Sequence, residues 1–147
     1  MKNRLKMLRL AVGEEPSFML RFKNFGLTPA YKVGVVRSIM SGPWPLPDNV
    51  ELTSNSVESG VQTLAPGAVT FGGSTPHKGG DASVVTDGEM AQLRSGERRM
   101  YIYGQLTYVD AFNQDRFTNF CLCVVPPQDP AAAQFGVQRC PCHNDAN

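Results

Sequence analysis

The sequence lacks any run close to the ~20 consecutive apolar residues that a helix needs to cross a bilayer. Its stretch Leu8-Arg9-Leu10-Ala11-Val12 is too interrupted to be the apolar centre of a signal peptide. Net charge is nearly absent as well: 14 Lys and Arg against 13 Asp and Glu leave +1, so no global field steers nucleic acid or an anionic membrane toward the protein. Histidine occurs only as His77 and His143, which leaves few bases to activate a nucleophile. Gly-x-Ser-x-Gly and His-Glu-x-x-His are missing, and the glycines of residues 72–80 do not close on Gly-Lys-Ser/Thr, so hydrolase, zincin and phosphate-loop chemistries have no motif to stand on. There is no internal repeat, and cysteine is absent from the first 120 residues.

What is present suits one small β-rich domain. The 147 residues (16.0 kDa) can bury roughly two thirds of the surface of the unfolded chain. A hydrophobic share of 41% with 14 glycines and 11 prolines favours short strands and many turns. Lys2, Arg4, Lys6 and Arg9 crowd the first nine residues without an acid. They fit an edge strand whose outward charges block sheet-to-sheet pairing, or a segment lying against anionic lipid. Met1 is followed almost at once by strand-like sequence, as in an excised domain or a truncated reading frame.

In residues 17–24, Phe18, Leu20 and Phe22 alternate with Met19, Arg21 and Lys23, the period of two of a half-buried strand. The Gly13-Glu14-Glu15-Pro16 turn makes residues 5–12 its hairpin partner or neighbour. Gly26 and Pro29 break the strand, and Tyr31, Val33 and Val35 begin another core strand that runs to about Ile39. Residues 41–60 read as a long loop with at most one short edge strand, and residues 61–64 and 68–71 as two short strands around a type II Pro66-Gly67 turn. A flexible loop follows over residues 72–80. Thr86-x-x-Glu89 is a capping box, Met90 and Leu93 an apolar stripe and Gly96 a left-handed stop, which predicts one short crossover helix over residues 87–95. Residues 99–109 and 116–125 form a hairpin around 110–115, with Phe120, Leu122 and Val124 on one face and Phe117, Cys121 and Cys123 on the other. About seven strands, one helix and no βαβ alternation make the chain an all-β, sheet-on-sheet antiparallel sandwich in a single domain, residues 1–147.

The stretches from Arg21 to Tyr31 (RFKNFGLTPAY) and from Tyr101 to Phe112 (YIYGQLTYVDAF) resemble the extracytoplasmic immunoglobulin-like domain of uncharacterised bacterial membrane-anchored proteins. More loosely, the first is similar to early strands of adhesion-related immunoglobulin-like modules and of late-embryogenesis-type sandwich domains. The resemblance runs from Leu8 to the end and includes Cys140-Pro141-x-His143-Asn144. It implies an immunoglobulin-like topology, a periplasmic or extracellular setting and membrane proximity through an N-terminal anchor. The chain differs in having no such anchor and in the extra pair Cys123 and Cys142.

Cys121-x-Cys123 and Cys140-x-Cys142 are the most informative chemistry. Two matched pairs suggest disulfides that tether residues 126–147, and with them an oxidising compartment. An antiparallel tail pairs Cys121 with Cys142 and Cys123 with Cys140, whereas the resemblance favours Cys121 with Cys140. The alternative is a zinc-stabilised binding module built on the four thiolates, or on three with His143. Pro43-Trp44-Pro45-Leu46-Pro47 is the candidate partner-binding loop, stiffened by proline and carrying the single tryptophan, unless Trp44 folds back over the end of the sandwich. The tyrosines of residues 99–109 can stack on sugars or bases or simply pack the sheet, and without a basic stripe beside them nucleic acid is disfavoured. Glu14-Glu15 and Asp110 with Asp115 read as solvated turn acids. No set of nucleophile, base and oxyanion donors converges. The expectation is therefore a non-catalytic, cofactor-free interaction or structural domain of a bacterial envelope protein, with a protein or cell-envelope component as partner.

Overall fold

A computed structural model describes residues 1–47, 49, 62–73, 77–78, 84–129, 131–132 and 134–147. Any edge strand within 50–61 and most of the 72–80 loop lie outside these residues. The described strands are β1 (Lys2–Arg9), β2 (Ser17–Lys23), β3 (Ala30–Pro43), β4 (Gln62–Leu64), β5 (Val69–Gly72), β6 (His77–Lys78), β7 (Arg98–Val109), β8 (Asp115–Val125) and β9 (Gly136–Arg139), with one helix, α1 (Asp87–Ser95), before β7.

They form two sheets. The smaller has the order β1-β2-β5, all antiparallel. The larger has the order β4-β3-β7-β8-β9, also antiparallel, with β6 added in parallel beside Ile39 and Met40 of β3. Alternation explains why the sheets pack. Phe18, Leu20 and Phe22 of β2 are buried against Val33, Val35 and Ile39 of β3, Met100, Ile102 and Leu106 of β7, and Phe120, Leu122 and Val124 of β8. The Phe22 and Phe120 rings meet across the layers at 5.6 Å.

Local signals in the helix hold. Thr86 Oγ1 accepts from the Glu89 amide at 3.2 Å, Gly96 closes the helix in the left-handed region at φ 79°, and Met90 and Leu93 are buried. The Ala65–Ala68 turn also forms, its amide–carbonyl bond 3.0 Å long and Gly67 at φ +77°. Its two strands, however, enter different sheets: β4 pairs with β3 and β5 with β2. The turn carries the chain from one layer to the other.

Two expectations need correction. Tyr31 is 41% exposed rather than in the core, because Lys32 takes φ 49° and the register slips between Tyr31 and Gly34. One extra residue on a strand sends every side chain before it to the opposite face. The loop expected from residue 41 starts later, since Ser41, Gly42 and Pro43 continue β3 against Met100, Arg99 and Arg98.

Asn24 ties the turns at one end of the fold together. Its Nδ2 donates to the carbonyls of Thr28 (2.9 Å) and Leu64 (3.1 Å), its Oδ1 accepts from the Gly26 amide (2.9 Å), and its own amide donates to the Ala68 carbonyl (3.1 Å). A buried amide with all these groups paired fixes the β2–β3 turn from within.

Candidate functional site

Both motifs singled out in the sequence meet on the solvent-side face of the larger sheet. Along β7, Met100 and Ile102 point to the main core while Tyr101 and Tyr103 point away from it. The register sets these tyrosines in two rows, Met40–Tyr101–Cys123 and Ser38–Tyr103–Cys121, running across β3, β7 and β8. Residues just after β3 fold back over them, with Leu46 buried and Trp44 half-buried, and the tail adds Cys140. The result is a second small core outside the main one.

Hydrogen bonds and a cation hold the flap down. Tyr101 Oη donates to the Pro43 carbonyl at 2.6 Å. The Arg99 guanidinium lies 3.8 Å from the Trp44 ring centroid, and its Nη1 is 3.7 Å from Cys123 Sγ. Arg98 reaches back to Ser41, Nε to Oγ and Nη2 to the carbonyl, each at 3.1 Å. Of the proposed binding loop, Pro43 and Pro45 are exposed, while the apolar side chains of Trp44 and Leu46 are engaged with the chain itself. Tyr101 and Tyr103 are buried and cannot stack on a ligand.

The cysteines resolve into one bond and two thiols. Cys121 and Cys140 are joined, their Cα atoms 5.3 Å apart, and both are buried. The tail does run antiparallel, but in a register two residues from that expected: Leu122 faces Arg139 and Cys123 faces Gln138, which sets Cys121 opposite Cys140. The pairing of Cys121 with Cys142 and of Cys123 with Cys140 is thereby excluded. Cys123 is a buried thiol and Cys142 a half-buried one. Burial pushes the Cys123 thiol up, against the opposing pull of Arg99, so at neutral pH it stays protonated and is a poor nucleophile. The disulfide removes two of the four thiolates that a zinc site would use, and among the described residues no three His, Cys, Asp or Glu side chains gather as metal ligands.

Beyond the disulfide the tail stays on the edge of β8. Asn144 Oδ1 accepts from the Cys121 amide (3.2 Å) while its Nδ2 holds the carbonyls of Cys140 and Cys142 (2.9 Å each). Asn119 and Phe117 are then met by Asp145 and Asn147. A tail expected as a tethered appendage therefore acts as a strand-like cover that protects the edge of β8. His143 does not approach a thiol pair. It lines a shallow depression of about 360 Å³ with Val36, Tyr103, Gln105 and Asn119, in which Gln105 Nε2 donates to Asn119 Oδ1 at 2.9 Å. Asp110 lies in the turn but is not the solvated acid expected: its side chain is 15% exposed, accepts from the amides of Phe112 and Gln114 and pairs with Arg116 at 2.8 Å, and the Gln114 amide above all holds its carboxyl below the ordinary value. Asp115 is the first residue of β8 and not part of the turn. Glu14 pairs with Arg9 at 2.9 Å.

The flap predicts a late-titrating tyrosine. Burial first, and then the neighbouring Cys123, push the Tyr101 hydroxyl up to about 12 from its ordinary 10.0. The folded state favours the neutral phenol, so this contribution to stability is complete below pH 10 and is lost as the pH rises through about 12. Burial pushes the Tyr103 hydroxyl up as well, so ultraviolet titration of the folded protein is expected to show two tyrosinates forming late, and Tyr101→Phe to remove one of them. Compared with models of protein families, with curated proteins and with solved structures, the chain matches none of them, and the geometry above is what bears on its role.

Proposed function

We propose that this chain is a non-catalytic, immunoglobulin-like domain on the periplasmic or extracellular side of a bacterial membrane, with an interaction or structural role toward a protein or cell-envelope component. The observation that carries the reading is the buried Cys121–Cys140 bond at the junction of β8 and the tail. A disulfide at such a position forms and persists in oxidising compartments and is rare where thiols are kept reduced. Two antiparallel sheets over one core support the immunoglobulin-like architecture. The non-catalytic reading is supported by chemistry: the buried Cys123 thiol is held protonated, and Glu14 and Asp110 are engaged with Arg9 and Arg116.

Labelling in intact cells tests this. With a membrane-impermeant maleimide applied before lysis, and mass spectrometry of the unreduced protein, Cys142 is modified while Cys121 and Cys140 are recovered as a linked peptide pair. Recovery of Cys121 and Cys140 as free thiols from cells quenched with acid, or labelling of Cys142 only after lysis, overturns the assignment of compartment.

A further inference from the structure

The outer face of the smaller sheet has a composition that the fold does not require. Its register places Lys2 directly opposite Lys23 and Arg4 directly opposite Arg21, with Met7 opposite Met19. On the other side of β2, Arg21 faces Phe71 and Lys23 faces Val69. Since Phe18, Leu20 and Phe22 fill the core face of β2, all of these side chains point outward. With Lys6 and Arg9 of the same strand, six of the chain's 14 Lys and Arg stand on or beside this three-stranded face. Among the described residues of β1, β2 and β5 there is no acid; Glu14 and Glu15 lie in the turn at one end, and Glu14 is paired with Arg9.

Edge protection accounts for only part of this. Charges on β1 guard an edge, but Arg21 and Lys23 belong to the central strand, which has neighbours on both sides. Like charges directly opposite on an antiparallel pair are destabilising. Two such pairs stand side by side with no counter-charge among the described residues of this sheet.

Beside the charges stand apolar groups that the core leaves out. Phe71 is 57% exposed, Phe25 56% and Leu27 96%, and Met7 and Met19 are exposed as well. The Phe25 ring lies under both the Lys2 ammonium (5.1 Å) and the Lys23 ammonium (4.6 Å), so the aromatic group and the cations are presented as one unit. The turn that carries Phe25 and Leu27 is braced by the buried Asn24 side chain, and these groups are displayed on a fixed scaffold.

We propose that the outer face of the β1-β2-β5 sheet is a docking surface for an anionic phospholipid bilayer, with Lys2, Arg4, Arg21 and Lys23 among the headgroups and Phe25, Leu27 and Phe71 at the acyl boundary. A bilayer is the partner that offers both halves of this chemistry: dense negative charge at its surface and an apolar layer a few ångströms below. A nucleic acid duplex would meet the cations but leave Leu27 and Phe71 in water. The assignment is independent of the compartment reading above, because it rests on this face alone.

Vesicle sedimentation of the full chain tests it. With vesicles of phosphatidylglycerol and phosphatidylcholine in about equal parts, the protein sediments at low ionic strength; with phosphatidylcholine alone it stays in solution; added salt weakens the binding. Each basic side chain near such a surface accounts for about a fivefold change in partitioning, so the double variant Arg21→Gln/Lys23→Gln loses on the order of 25-fold. Leu27→Ser, at a site 96% exposed and outside the core, also weakens partitioning and removes the residue that persists at high salt. Lys32→Gln, on the larger sheet, leaves binding unchanged, and thermal melts establish that each variant is folded. Equal binding to both vesicle types, no binding to either, binding to a DNA duplex as tight as to the anionic vesicles, or indifference to the double substitution overturns the proposal.

Discussion

Replacing Gly104 with alanine lowers the stability of the fold by about 3 kcal/mol or more, the upper range for forcing a group into a filled core. Gly104 lies on β7 in the core-facing series with Ile102 and Leu106, and its cross-strand neighbour on β8 is Phe120. A Cβ there would overlap the Val36 carbonyl oxygen and come within 2.8 Å of Arg37 Cα and 2.9 Å of Phe120 Cζ. Two of these atoms are backbone of the adjacent strand, so the clash cannot be relieved by a rotamer change; β3 itself would have to move away from β7. In the native fold the Phe120 ring occupies the space that a side chain would take and then meets Phe22 of the opposite sheet. Denaturant unfolding measures the effect, with Gly88→Ala as the control. Gly88 is in α1 with open space around its Cα, and alanine there raises stability by about 0.5–1 kcal/mol through helix propensity. Equal stabilities for Gly104→Ala and the parent protein would show that β3 and β7 are not in the register described.

The second large effect is that of the disulfide. Cys121 and Cys140 are 19 residues apart in sequence, and closing a loop of that size restricts the unfolded chain by about 3 kcal/mol in the chain-entropy account. Cys121→Ala/Cys140→Ala therefore shifts the denaturant midpoint down by that amount, while Cys142→Ala shifts it little, because Cys142 is a half-buried thiol outside the bond. Thiol counting provides the companion measurement: two reactive thiols in denaturant without reductant, and four after reduction. The tail keeps its hydrogen bonds to Phe117, Asn119 and Cys121 in the double variant, so the loss is one of stability and not of the native arrangement. An unchanged midpoint would mean that those bonds alone hold the edge of β8.

Much of the layered core was legible because a strand's side chains alternate. Phe18, Leu20 and Phe22 could be assigned to the core from spacing alone, as could Phe120, Leu122 and Val124, and each set lies there. The helix was legible for another local reason: Thr86 caps the Glu89 amide one turn away, and Gly96 closes the helix in the left-handed region. Tyr31 was misplaced because a bulge at Lys32 reverses the alternation, and a positive φ at a lysine leaves no compositional trace. The cysteine register failed by two residues because pairing between β8 and β9 is set by Val124 against Val137 and Leu122 against Arg139 as a whole, not by bringing the maximum number of sulfurs together. The tail's continuation beyond Cys140 along β8 was missed, although Asn144, Asp145 and Asn147 are the kind of residue that satisfies a strand edge.

Local periodicity and turn chemistry determined the apolar faces of β2 and β8 and where α1 begins and stops, since those properties depend on neighbours a few positions away. Only the tertiary structure decided that β4 and β5 part into different sheets, that Trp44 and Leu46 cover Tyr101 and Cys123, and that Lys2 and Arg4 stand opposite Lys23 and Arg21. Those are relations between segments far apart in the chain, and they follow from which faces bury one another, a choice made by the free energy of the whole assembly and written in no single stretch.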